Sequence, residues 1–153
     1  MDNTKAISSA FEMALRVLLL LSKVKNRSIT IMQICEVDSI AVYAADFGLL
    51  DENLHGYGTY RFSEFLARKS IVSKAVKNLV LKRCIRFKTS KKGYLFQITP
   101  KGLDFVNELK VSYAEEYRLA VETVVDAYRL SESYMLKEIN RYTLQSLQED
   151  AHE

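Results

Sequence analysis

The cations between Arg61 and Gly102 are the residues whose type and spacing point most clearly to chemistry. This stretch carries 12 basic residues against Glu64 as its one acid. Seven of them fall into an ordered set. Lys74, Lys77 and Lys82 sit along one apolar-striped segment, Arg86 and Lys88 alternate along the next, and Lys91 and Lys92 occupy a turn. Lys74 and Lys77, three apart, share a helix face. A row of cations on a helix and an adjoining hairpin suits the phosphates of a nucleic-acid backbone. Each phosphate neutralised releases counterions, so such binding weakens as salt rises. Lysine outnumbers arginine here, and lysine acts as a point charge rather than a bidentate reader of bases. Backbone contact with little sequence preference is the expectation, although Asn78 lies where it could reach a base edge. A solvated lysine surface with no ligand is the competing reading.

Other chemistry finds little support. His55 and His152 are the two histidines; His55 sits in a Gly-rich loop with no partner cysteine or obvious metal ligands nearby, and His152 lies in the frayed tail. Cys35 and Cys84 lack the close spacing of a zinc site, which needs about four ligands. Both sit among apolar residues and read as buried free thiols. Gly56-Tyr57-Gly58 lacks the Lys-Ser/Thr of a phosphate-binding loop and reads as a turn. Asp46, Asp51 and Glu52 are too few to hold a metal. No catalytic, metal or cofactor residue is assigned, and a non-enzyme is expected. The longest aliphatic run, Val17–Leu21, is far short of the roughly 20 residues that span a bilayer. Met1–Ser9 lacks the cationic start of a secretory signal. A cytoplasmic location is therefore expected.

The elements that must position the cations follow from periodicity. Hydrophobic residues make up 48% of the chain, enough for a core. Phe11, Ala14, Leu15, Leu18 and Leu21 predict a mostly buried helix, opened by Ser8 or Ser9 with Glu12 completing a capping box, and ending near Lys25–Asn26. Thr30 to Phe47 reads as a second helix closed by Gly48, and Leu49 to Thr59 as a loop. Ser63 caps a short helix through Arg68, Lys69-Ser70 make a turn, and Ile71, Val72, Ala75, Val76, Leu79 and Val80 stripe a longer helix. Ile85–Thr89 and Tyr94–Ile98 alternate about Ser90-Lys91-Lys92-Gly93 as a hairpin, with Ile85 and Phe87 on one side and Arg86 and Lys88 on the other. Thr99 caps a helix from Lys101 that can continue unbroken to Tyr128. Ser131 or Ser133 starts a final helix, and Gln148–Glu153 reads as a frayed end.

Short helix, turn, longer helix, hairpin, helix is the order of a winged helix-turn-helix. The fold class expected is mainly α with a small β-hairpin (α+β). A winged-helix core spans about 61–110, flanked by a helical N-terminal part at 8–50 and C-terminal helices at 101–147, all in one domain. Charge is divided to match. Met1–Tyr60 holds 5 basic and 7 acidic residues, and Leu103–Glu153 holds 5 and 11, so the formal net charge of +3 hides a cationic middle between acidic ends. The acidic C-terminal third suits a protein partner. Tyr113, Tyr117 and Tyr128, with Met135, Ile139 and Tyr142, are the candidate anchors; for the three tyrosines, packing within a helical core is the favoured reading.

Several short stretches resemble a known family. Ala10-Phe11-Glu12-Met13-Ala14-Leu15-Arg16, running on to Leu21, is similar to the opening of the middle components of ABC-three-component systems. There, an acidic and a basic residue flank a Leu-rich first helix. Asp38 with Ala45-Asp46-Phe47-Gly48 resembles the family's second helix and its end. Leu54-His55 and Tyr60-Arg61-Phe62-Ser63-Glu64-Phe65-Leu66-Ala67-Arg68-Lys69 resemble its next stretch. Leu81-Lys82-Arg83-Cys84-Ile85 and the Thr99-Pro100 helix start also fit. The similarity runs from about Ala10 to Leu130. Gly56-Tyr57-Gly58 departs from the prolines usual after the Leu-His pair, and Ala44-Ala45 from the usual His-Ser.

The resemblance implies a small accessory subunit of a bacterial anti-phage or anti-plasmid defence complex of the Lamassu type. Its implied partners are an SMC/RecN-like ATPase subunit and a nuclease effector subunit; the cationic segment adds DNA, and no cofactor is expected. Small subunits of SMC complexes are often winged-helix proteins seated at the ATPase heads. Two rivals stand beside this reading. One is a free-standing winged-helix transcription regulator, dimeric and specific for a palindrome. The other is a pure scaffold without DNA contact.

Overall fold

The computed structural model describes residues 3–57 and 65–151. Six helices and one antiparallel hairpin make it mainly α with a small β component. Helix α1 (Asn3–Lys23) buries Val17 to Leu21 as one continuous patch. It begins ahead of the serines expected to cap it, so Ser8 and Ser9 lie inside the helix. Lys5 and Ala6 are good helix formers, and nothing there stops propagation.

Helix α2 (Ile31–Val42) starts at a capping box. The Thr30 hydroxyl accepts the Gln33 N–H at 3.0 Å, and Gln33 Oε1 accepts the Thr30 N–H at 2.9 Å. From Ile34 onward every residue of α2 is buried, which makes it the central helix. It stops at Val42 rather than at Phe47. The chain then turns down to Gly48, whose φ of +72° favours glycine.

Helix α3 (Phe65–Leu81) corrects the expected helix-turn-helix. It runs straight through Lys69 and Ser70, so no turn forms there. The residues around that pair include no Gly or Pro, and the buried stripe of Val72, Ala75, Val76 and Leu79 continues the same face. The expected Ser63 cap lies outside the described residues.

Strands β1 (Ile85–Ser90) and β2 (Gly93–Ile98) pair in the register Ile85↔Ile98, Phe87↔Phe96 and Ser90↔Gly93. Paired residues share a face of the hairpin. Ile85, Phe87, Phe96, Ile98 and Tyr94 therefore lie on one side, Arg86 and Lys88 on the other. Ile85, Ile98 and Phe96 are buried, but Phe87 is 53% exposed and Tyr94 58%, because the hairpin projects beyond the core. A single bridge ties Ile29 to the outer edge of β2 at Phe96.

Helix α4 (Pro100–Asn107) is capped by Thr99, whose hydroxyl accepts the Gly102 N–H at 3.2 Å. A Cβ on Gly102 would collide with the Cys84 carbonyl oxygen and the Ile98 side chain, so this glycine lets α4 pack onto the base of the hairpin. Helix α5 (Ser112–Tyr128) is separate from α4, against the expectation of one unbroken helix. At the break the Arg118 guanidinium donates to the carbonyl oxygens of Val106 and Leu109, which the end of α4 leaves without helical partners. Arg129 and Leu130, both left-handed, close α5. Helix α6 (Glu132–Ala151) then begins with the Ser131 hydroxyl accepting the Tyr134 N–H, and stays helical through Gln148. The buried apolar residues form a cluster that draws on all six helices and both strands.

Candidate nucleic-acid interface

The orientation of α3 is set by a buried charge cluster. Asp38 sits in the middle of α2, 1% exposed. Its Oδ1 accepts Arg16 Nε at 2.9 Å and the Tyr117 hydroxyl at 2.6 Å; its Oδ2 accepts Arg68 Nη1 at 2.7 Å and Arg16 Nη2 at 3.2 Å. One carboxylate thus joins α1, α2, α3 and α5. Burial alone would raise the Asp38 pKa. The charges of Arg16 and Arg68, with the hydrogen bonds from Arg16 and Tyr117, override it and hold the group far below the usual carboxylate range. Burial works against the Arg16 charge too, and Asp38 overrides it. Arg68 lies in the first turns of α3, so this bond fixes which face of α3 meets solvent.

A second polar chain leads outward from the cluster. Tyr113 and Tyr117 stack with centroids 6.5 Å apart, and the Tyr113 hydroxyl lies 2.6 Å from His55 Nε2. Burial, then the Arg16 charge, lowers the His55 pKa to about 4, so the ring is neutral at physiological pH. His55 is therefore a packed residue that holds the loop after α2. Cys35 and Cys84 are buried free thiols; burial, then the Asp38 charge, pushes Cys35 up to about 12.

The outward face of α3 presents Lys74, Lys77 and Asn78, all exposed. Lys82 follows its C-terminus, with its carbonyl oxygen taken by the Lys101 ammonium at 3.0 Å. On the hairpin, Arg86 donates to Gln97 Oε1 at 3.1 Å, and Lys88 lies on the same face. Ser90 shapes the tip: its hydroxyl accepts the Lys92 N–H and donates to the Gly93 carbonyl. Among the described residues, none of the seven expected cations pairs with a carboxylate.

Two of the seven line a groove and five do not. Lys91 and Lys92 line a groove of about 1280 Å³ between the hairpin tip and the first turns of α2 and α6. Arg27 and Lys69 line it as well, while Lys74, Lys77, Lys82, Arg86 and Lys88 do not. Sequence spacing gives no hint of this grouping, because Arg27 and Lys69 come from distant segments. The buried cluster did leave a signal. Arg16 inside a Leu-rich helix and Asp38 inside an apolar one each require a partner.

The expected docking residues need correction. Tyr117, Tyr128, Met135 and Ile139 are buried in the chain's own core. Tyr113 is half-buried against His55, and Tyr142 packs on Phe47 at 4.6 Å between centroids. Their helical spacing serves the core. The large apolar side chains left exposed are others, including Phe11, Leu119, Tyr134, Leu144 and Leu147.

Among the described residues, no group of three or more His, Cys, Asp or Glu side chains is placed to hold a metal ion. No helix among them is long and apolar enough to cross a membrane. A family model described as ABC-three component (ABC-3C) system Middle Component 2 matches residues 6–149. Comparison with curated proteins and with solved structures returns no match.

Proposed function

Since the chain belongs to the Middle Component 2 family of ABC-three-component systems, we propose that it is a non-catalytic accessory subunit of a bacterial defence complex, bridging an SMC-like ATPase and a nuclease effector and contacting DNA backbone. The family makes protein partners the premise. The Lamassu-type assignment, the ATPase and nuclease partners and the DNA contact are our reading.

The observation that carries the DNA half is the set of exposed cations on α3 and the hairpin, with no carboxylate partners among the described residues. A surface that kept lysines only for solubility would intersperse acids. Element order adds support. α1, the Ile29 bridge, α2, α3 and the β1–β2 hairpin run in the order of a winged helix, with a one-residue first strand and α3 as the helix facing the duplex. In this reading α2 and α3, rather than two parts of α3, are the helix pair. The acidic C-terminal third and the exposed Leu119, Leu144 and Leu147 suit protein docking instead.

The test is to co-express the chain with the ATPase and nuclease components of its system and purify through a tag on this chain. A stable complex that binds duplexes of unrelated sequence with equal affinity supports the proposal. A homodimer that ignores both components and binds one palindrome would overturn it in favour of a regulator. A complex blind to DNA would leave only the scaffold.

A further inference from the structure

We infer that the groove between the hairpin tip and the first turns of α2 and α6 holds a single DNA strand, with phosphates against Arg27, Lys69, Lys91 and Lys92 and a base against the Tyr94 ring. The inference deepens the proposed nucleic-acid function and rests on it. That function concerns a duplex against α3 and the hairpin. The groove is a second, recessed site for a different form of the same polymer.

Charge is the first argument. The four cations arrive from three separate parts of the chain: Arg27 between α1 and α2, Lys69 on the first turns of α3, Lys91 and Lys92 at the hairpin tip. All four are exposed, and none pairs with a carboxylate among the described residues. Among the described residues Glu132 supplies the one carboxylate on the groove's lining, and the Thr30 hydroxyl already donates to it at 3.3 Å. A polyanion is the ligand such a wall favours.

Shape and the aromatic ring choose among polyanions. A duplex is a convex rod whose bases are stacked inside it. It can touch rim cations but offers no base face to a recessed ring. A single strand bends into a groove and leaves its bases free to stack. Tyr94 lines the groove with 58% of its surface exposed. The Phe87 ring packs edge-on against it at 5.6 Å, so its position is set before any ligand arrives. An acidic protein segment would also satisfy the cations, and its apolar side chains could pack on Tyr94 and on Ile31, Met32 and Leu136 of the lining, so it is the rival occupant that the test must separate.

The test uses the full chain and fluorescence polarisation. The probes are labelled oligothymidylate of about 15 nucleotides and a duplex of about the same length, each read over a salt series. Arg27→Glu with Lys69→Glu should weaken oligothymidylate binding by about tenfold or more and change duplex binding by less than about twofold. Tyr94→Ala should weaken oligothymidylate by about tenfold with its salt slope unchanged, and Tyr94→Phe should restore it. These side chains are exposed, and unchanged thermal midpoints verify the fold.

The inference is overturned if both variants bind oligothymidylate like the parent chain, or if duplex and single strand weaken by the same factor. It is also overturned if a polyglutamate peptide of equal length displaces oligothymidylate at equal concentration, since the occupant would then be an acidic protein. A chain that binds oligothymidylate but no duplex keeps this site and removes the α3 contact. A chain that binds duplex but no oligothymidylate does the reverse.

Discussion

Arg68 donates to Asp38 Oδ2 at 2.7 Å, and both side chains are almost wholly buried. Through that bond the first turns of α3 are clamped to the middle of α2, with Arg16 of α1 and Tyr117 of α5 sharing the same carboxylate. Three of the stretches that resemble the family at the sequence level each contribute one member: Arg16, Asp38 and Arg68. What looks like three separate short motifs is one buried ion cluster in the fold.

Removing Asp38 strands two buried guanidinium groups. Asp38→Ala should destabilise the chain by about 3–5 kcal/mol, because the uncompensated charges stay in the core. Urea unfolding at neutral pH measures it. The folded-state pKa lies far below the ordinary 3.8, so the cluster's stabilisation is present above about that pH. It is lost as pH falls below it. An unfolding midpoint unchanged in Asp38→Ala would show that the cluster contributes nothing.

Glu36 makes the opposite contribution. It is fully buried on α2, and neither carboxylate oxygen has a hydrogen-bond partner. Burial, then the Glu132 charge, raises its pKa from 4.5 to about 8. The folded state therefore holds its proton where the unfolded chain releases it, and stability declines as pH rises from 4.5 toward 8. Glu36→Gln should match the parent near pH 4.5 and exceed it at pH 8, by an amount on the order of a few kcal/mol. Thermal midpoints across that range read the difference. Parallel curves for parent and variant would contradict this assignment.

Gly102 is fixed by close approach. A Cβ there would press on the Cys84 carbonyl oxygen and the Ile98 side chain, neither of which can retreat without moving the hairpin base. Gly102→Ala should cost about 1–3 kcal/mol despite alanine's better helix propensity. A stabilised variant would show that α4 moves freely against the hairpin.

Much of the fold is legible in the sequence because it rests on local pattern. The Thr99 cap, the start of the second helix at Thr30, the stripe of α3 and the hairpin about Ser90–Gly93 all follow from spacing over a few residues. The features that escape the sequence depend on partners far along the chain. The α4–α5 break carries no helix breaker, and Arg118 from further along the chain caps the carbonyls there. The expected turn at Lys69-Ser70 fails because a polar pair without Gly or Pro does not stop a helix whose apolar stripe continues beyond it. Tyr117 stays among the candidate anchors because its helical position says nothing about Asp38, 79 residues away, which its hydroxyl reaches. The candidate site is half legible. Sequence order supplies Lys91 and Lys92, but only the folded chain brings Arg27 and Lys69 beside them.

The most direct measurement is the salt dependence of duplex affinity for the full chain and for Lys74→Glu/Lys77→Glu. Log affinity should fall linearly with log salt. The double variant should bind at least about tenfold more weakly, with the slope reduced by roughly one for each phosphate no longer neutralised. A parent chain whose duplex affinity is indifferent to salt, or a double variant with an unchanged slope, would contradict DNA backbone binding by α3.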